Sequence, residues 1–268
     1  MYADYEETKR TLARYPAWVK VIGSSVFGRK LYVLQKGKGG ILVQAGMHAR
    51  EHITTRVLLR LVQYRSIMSL FPSIALVPLV NPDGVELCLK GAEGFPNRET
   101  LLRINGGADF SGWKANARGV DLNVNFNAEW GKGKNASAAP APQGYAGAFA
   151  ESEPESKALA TFARMQGFDV TVSLHAKGEE VYAGFLGFDP DPSLSLALSR
   201  ALGYPLKESV GSVGGFKDWY VFAFRKPSFT IELGKDSVDY KALYKDEQDL
   251  VERTYRALCA VGERYAKG

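Results

Sequence analysis

Apolar positions along the chain switch repeatedly between the period of a strand and the period of a helix. Residues 18–22 and 30–35 read as two strands joined by a Gly/Ser turn. After Gly37-Lys38-Gly39-Gly40, the run Ile41-Leu42-Val43-Gln44-Ala45-Gly46 has the character of a short buried strand. Val57, Leu58, Leu61 and Val62 then fall at helical spacing, which predicts a helix over 54–68. Residues 74–80 predict another strand, stopped by the turn chemistry of Asn81-Pro82-Asp83-Gly84. From 88 to 142 the sequence is irregular, rich in Gly, Asn and Ala.

Ser152-Glu153-Pro154-Glu155 has the pattern of a helix start, with Ser152 as N-cap and a helix running to about 165. Residues 169–174 and 228–233 predict strands, while 192–202 and 246–265 predict helices. Strands alternating with helices imply an α/β fold, a single domain over 1–268 built on a mixed, largely parallel twisted β-sheet with helices on both faces. No internal repeat or linker divides the chain.

Composition narrows the class. The chain has 268 residues, 46% of them hydrophobic and 24% charged, an ordinary soluble globular balance with ample material for a core. The formal charge of +5 is not gathered into a basic run, so no nucleic-acid partner is expected. Two distant cysteines, Cys88 and Cys259, make no disulfide framework or metal motif and are expected to be buried free thiols. No apolar stretch reaches membrane-spanning length, so no membrane partner is expected. The N-terminus is acidic and lacks a leader's apolar core, which gives a cytoplasmic expectation, or the cell wall if the natural chain is longer. Oligomeric state is not legible.

The candidate chemistry is concentrated. The chain has only three histidines, His48, His52 and His175. His48 and His175 stand at or just beyond the carboxyl ends of predicted buried strands, and Glu232 stands at the end of the last one. Carboxyl ends of strands are where ligand crevices form in open α/β sheets. His48 and Glu51 lie three positions apart on a turn entering a helix, so both can reach one cation. With His175 they make a His2Glu set, which suits one catalytic Zn2+ with a position left for water. Glu232 lies in an otherwise apolar strand, where burial raises a carboxyl's pKa and suits a general base. His52 is expected on a helix surface and is not a ligand candidate.

Five segments then carry a resemblance. Gly46-Met47-His48-Ala49-Arg50-Glu51, Asn81-Pro82-Asp83-Gly84, Gly119-Val120-Asp121-Leu122-Asn123, Ser173-Leu174-His175 and Ile231-Glu232 occur in the order seen in the zinc metallocarboxypeptidase family. The resemblance implies zinc on His48, Glu51 and His175, with Glu232 as general base. Phe110-Ser111-Gly112-Trp113-Lys114-Ala115-Asn116 and His175-Ala176-Lys177-Gly178-Glu179, followed by Tyr182, are similar to the bacterial branch that cleaves γ-D-glutamyl–diaminopimelate bonds. On that resemblance Lys114 is catalytic, helping to hold the oxyanion, while Asn123, Glu179 and Tyr182 belong with substrate binding.

Two positions depart from the family pattern. Val124 stands where ordinary carboxypeptidases carry an Arg that grips the terminal carboxylate, and Val210 where they carry a capping Tyr. Substrate carboxylates are then expected on Arg50, Lys177 or Lys114. The expected partner is a peptide, a muropeptide cut at or next to the γ-D-Glu–diamino acid bond. The alternatives are a conventional carboxypeptidase of α-linked residues and a catalytically silent domain of the same fold.

Overall fold

The computed structural model describes residues 2–63, 67–134, 136–208, 211–237 and 239–265. Eight strands form one sheet in the order β1-β2-β4-β3-β5-β8-β6-β7. They are β1 (Val19–Ser24), β2 (Lys30–Lys36), β3 (Ile41–Gln44), β4 (Ile74–Val77), β5 (Val170–His175), β6 (Glu180–Ala183), β7 (Leu206–Lys207) and β8 (Ser228–Glu232). The inner strands β4, β3, β5 and β8 run parallel. β1 and β2 add antiparallel at one flank, and β6 pairs antiparallel with β8 at the other. The mixed, largely parallel sheet expected from the apolar runs is therefore present. Parallel strands need both faces covered: β3 and β4 are accordingly almost wholly apolar, while β5 and β8 alternate apolar residues with small polar ones whose buried hydroxyls are paired, Thr171 with Ser228 at 2.6 Å and Ser173 with Gln44 at 2.6 Å.

The two faces are covered by different helices. Ile41 and Val43 point to one side, with α2 (His52–Gln63), α6 (Pro192–Leu202) and α8 (Glu247–Tyr265) packed there. Leu42 points to the other, against α5 (Pro154–Gln166) and α7 (Phe216–Phe224). A third apolar cluster around Trp113, Phe110, Leu87 and Leu101 joins α3 (Pro82–Lys90) and α4 (Arg98–Asn105) to the loop bearing Lys114. The remaining helix, α1 (Tyr5–Leu12), is capped by Asp4, whose side chain accepts from the Glu7 N–H.

Several expectations change. Asn81-Pro82-Asp83-Gly84 is the start of α3 and not a free turn: Asn81 is the N-cap, accepting from the Gly84 N–H at 2.9 Å, and Pro82 opens the helix. The N-cap of α5 is Glu153, one residue after Ser152, whose hydroxyl instead donates to the Glu153 carboxylate. The irregular 88–142 stretch contains α4. α1, α7, β6 and β7 were not foreseen, and the helix expected over 54–68 runs from His52 to Gln63, with a 3-10 turn at Ile67–Ser69. His52 is buried, not a surface residue, and its Nδ1 lies 2.7 Å from the Tyr244 hydroxyl. Cys88 and Cys259 are free but only half-buried. Val210 lies outside the described residues.

Candidate metal centre and substrate cleft

The site is assembled where β3, β5 and β8 end. Gly46 turns the chain out of β3 at φ +63°, and a Cβ there would lie 2.4 Å from Thr55 Oγ1 and 2.8 Å from Leu79 Cδ1. The turn thus needs glycine for both its handedness and its close packing. It delivers His48 into the cleft, and a short 3-10 turn, Ala49–Glu51, brings Glu51 round to the same side. Asn81 fixes this loop to its neighbour, donating through Nδ2 to Met47 O at 3.1 Å and Ala115 O at 3.0 Å. The Ala49 and Arg50 N–H groups donate to Lys114 O and Trp113 O. His175 and Glu232 are direct register partners across β5 and β8, so they project side by side from one face.

Three side chains converge. His48 Nδ1 lies 2.8 Å from Glu51 Oε1 and 3.1 Å from His175 Nδ1, while His175 Nδ1 lies 3.0 Å from Glu51 Oε2. All three residues are buried. If both imidazoles donate from Nδ1 to Glu51, the two ring nitrogens meet donor against donor at 3.1 Å, so protons alone cannot make all three contacts favourable. A shared cation satisfies all three. Tetrahedral ligands about 2.0–2.1 Å from zinc lie roughly 3.3 Å apart, close to the separations seen. The donor set therefore fits zinc.

Behind this set stands Asp121, a residue to which the sequence assigned no role. Its Oδ1 is 3.2 Å from His48 Nε2, and its Oδ2 accepts from the Gly144 N–H at 3.0 Å. A carboxylate on the outer nitrogen of a ligand histidine fixes its tautomer and ring orientation. Burial alone would raise the Asp121 pKa, but the charges of His48 and Lys114 hold it well below the usual range. Burial likewise opposes a charge on His48, yet Glu51 and Asp121 outweigh it and raise the imidazole pKa. Glu51 is driven well down, its burial overcome by the two histidines.

Glu232 is pushed the other way, up to about 7, by burial and then by the like charge of Glu51. Lys114 lines a cavity of ≈ 410 Å³ with Asp121 and Val124, and its charge acts on His48, Asp121 and Glu232 alike. A second cavity, ≈ 350 Å³, is lined by Glu232, Asn123 and Tyr182 together with Lys217 and Asp218. Asn123 Oδ1 accepts from the Phe216 N–H at 3.2 Å, joining the Asp-x-Asn segment to α7. Tyr182 donates to Glu180 Oε2 at 2.6 Å.

The remaining candidates sit apart. Arg50 donates to Gly112 O at 3.2 Å and lies over the Tyr240 ring at 5.2 Å, at the edge of a third cavity of ≈ 550 Å³. Lys177 donates to Asp236 O and approaches the same ring at 5.6 Å. Glu179 turns away, its charge felt by Tyr204 and Arg253. Its neighbour Glu180 is the register partner of Glu232 and faces the cleft. The structure therefore gathers His48, Glu51, His175, Glu232, Lys114, Asn123 and Tyr182, sets Arg50 and Lys177 beside Tyr240, and leaves Glu179 outside.

The buried pair in the second cavity was not found from sequence. Lys217 and Asp218 are only 4% and 3% exposed, with Nζ 2.6 Å from Asp218 Oδ1.

The zinc carboxypeptidase family model matches residues 5–188, and the chain belongs to that family. It is 35% identical over 236 residues to the γ-D-glutamyl-L-diamino acid endopeptidase 1 of Lysinibacillus sphaericus, covering 80% of this chain and 59% of that protein. It is 34% identical over 258 residues to the uncharacterized protein YqgT of Bacillus subtilis, covering 86% of this chain and 68% of that one. The chain thus spans roughly three fifths to two thirds of these relatives' length. Among solved structures, bovine thrombin-activatable fibrinolysis inhibitor in complex with tick carboxypeptidase inhibitor shares the fold, with a TM-score of 0.77 at 24% identity over 100% of this chain and 98% of that one.

Proposed function

We infer that this member of the zinc carboxypeptidase family is a peptidase of peptidoglycan-derived peptides, acting at or next to the γ-D-Glu–diamino acid bond. The observation that carries the peptidase reading is the convergence of His48, Glu51 and His175 beside an elevated Glu232. The substrate reading is supported by the likeness to the Lysinibacillus endopeptidase and by Val124, an apolar residue facing the cavity that Lys114 lines.

His48, Glu51 and His175 would hold the zinc, and Asp121 would keep the His48 proton on Nε2. Zinc, when bound, supplies Lewis acidity toward the scissile carbonyl and toward an attacking water. Glu232 takes the proton from that water and passes it to the leaving amine, a role that an elevated carboxyl pKa suits. Lys114 presents its ammonium to the negative charge that develops on the carbonyl oxygen, as a point charge without the fork geometry of Arg. Arg50 and Lys177 stand ready at the Tyr240 edge for acidic groups of the substrate.

The test is mass spectrometry of products from L-Ala-γ-D-Glu-diaminopimelate and from α-linked peptides, with the zinc-loaded protein and a Glu232→Gln control. Release of diaminopimelate by wild type and not by the control is expected. Cleavage of α-linked peptides alone would replace this reading with a conventional carboxypeptidase. Zinc binding with no cleavage of either would leave a silent domain. Among the described residues no helix is long and apolar enough to cross a membrane.

A further inference from the structure

Lys114 is held from both sides. Trp113 is fully buried in the apolar cluster behind the loop, and Asn116 is fully buried two residues further on. The Lys114 and Ala115 N–H groups both donate to Pro142 O at 3.0 Å. The Asn116 amide is used to capacity. Its Oδ1 accepts from the Arg118 and Val120 N–H groups at 2.9 and 3.1 Å, and its Nδ2 donates to Glu153 Oε2 at 2.8 Å and to Glu155 Oε2 at 3.2 Å.

Both acceptors are buried carboxyls at the start of α5, and they are compensated unequally. Glu153 takes a hydrogen bond from the Ser152 hydroxyl at 3.0 Å and lies 3.6 Å from Arg118. Glu155 is fully buried and accepts from the Val26 N–H at 3.1 Å, and among the described residues no cation pairs with it. Arg29, from the same turn as Val26, is bound to Asp83 at 2.6 Å. Burial, with the like charge of Asp83 adding to it, pushes the Glu155 pKa up to about 7. An apolar residue would start α5 without that desolvation. What the carboxyl does there is hold one proton of Asn116.

We propose that Glu155, with Glu153 beside it, is a positioning residue for Lys114: through the Asn116 amide it fixes where the loop presents the ammonium to the charge developing on the scissile carbonyl oxygen. The inference rests on the reading of Lys114 given above. Loosening this anchor leaves the bound substrate alone and weakens a contact made only as the oxyanion forms, so kcat falls and KM does not.

Glu155→Gln keeps the shape of the side chain. Its one oxygen serves either Val26 or Asn116, and its NH2 group meets the other as donor against donor. Loss of one charge-assisted hydrogen bond is about a ten-fold effect. The zinc-loaded variant is therefore expected to cleave L-Ala-γ-D-Glu-diaminopimelate with kcat lowered about ten-fold and KM unchanged. It should also bind a phosphinate analogue of that peptide, whose anion copies the oxyanion, about ten-fold more weakly, while holding zinc against a chelator as wild type does. Glu153→Gln still offers an oxygen to Asn116 and its NH2 group to Ser152, so its loss is smaller, and it carries the test if Glu155→Gln does not fold. The deciding step repeats both substitutions in Lys114→Met, where no ammonium is left to misplace and neither costs anything more. Losses that add in full to that of Lys114→Met, a zinc affinity that falls with kcat, or a rise in KM alone overturns the proposal. An impaired Lys114→Met beside unimpaired Glu155→Gln and Glu153→Gln removes the positioning role alone. A Lys114→Met enzyme equal to wild type in both readouts removes the reading of Lys114, and the proposal with it. If wild type cleaves no peptide, the phosphinate series decides by itself, and no phosphinate binding overturns the proposal.

Discussion

Asp121→Asn changes no metal ligand, and its effect on zinc affinity follows from three contacts. Asp121 Oδ1 lies 3.2 Å from His48 Nε2 and accepts from the Asn123 N–H at 3.2 Å, and Oδ2 accepts from the Gly144 N–H at 3.0 Å. An asparagine keeps the shape and one accepting oxygen but loses the charge, and its NH2 group meets either Gly144 or His48 as donor against donor. A hydrogen bond to a charged group exceeds a neutral one by about 1–1.5 kcal/mol, so the lost charge alone weakens zinc binding about ten-fold. Outer partners of ligand histidines generally cost about 10–100-fold, and the Gly144 mismatch moves the variant up that range. Competition against a chromogenic chelator at neutral pH measures it, with circular dichroism confirming the fold. The pH dependence adds a second readout. Asp121 helps to raise the His48 pKa, and zinc must displace that proton. The variant's His48 holds its proton less tightly, so the affinity gap narrows as pH falls. Unchanged affinity, or a gap that widens toward acid pH, refutes the reasoning.

Glu155 is fully buried, accepts from the Val26 N–H at 3.1 Å and from Asn116 Nδ2 at 3.2 Å, and is pushed up to about 7 from 4.5 by burial. A carboxyl whose folded pKa exceeds its unfolded one stabilises most at low pH and loses that contribution as pH rises through about 7, by at most about 3 kcal/mol. Glu155→Gln has no proton to lose, so its melting temperature relative to wild type should rise from pH 5 to pH 8; a falling difference contradicts the argument. Chelation of zinc should lower the melting temperature, since a ligand at 100 times its Kd stabilises by about 2.7 kcal/mol, and a scanning fluorimetry trace unchanged by chelator would count against a native metal site. Val124→Arg places a guanidinium at the cavity lined by Lys114 and Asp121, and is expected to raise kcat/KM for α-linked peptides with free C-termini over amidated ones. No change in that preference would mean that Val124 does not mark the departure from carboxypeptidase action.

What was legible in the sequence and what was not divide along physical lines. Strand β3 could be read from its apolar run, and β5 and β8 from β-branched and apolar residues alternating with small polar ones, so a histidine or glutamate at or just beyond their ends stands out. That is why His48, His175 and Glu232 were visible, and why Glu51 followed from its spacing to His48. α7 was hidden for the complementary reason: Phe216, Trp219 and Tyr220 are all buried with Lys217 and Asp218, so no polar face gives the segment a helical period. The motif points to Glu179, but which side a residue of this segment presents depends on strand register, and it is Glu180 that pairs with Glu232. Asp121 sat inside a recognised segment, but its role depends on which histidine nitrogen it meets. Lys217–Asp218 is the furthest case, since adjacent opposite charges ordinarily mark a solvated surface. Only the fold shows that both are buried, on the wall of the cavity that Glu232 also lines.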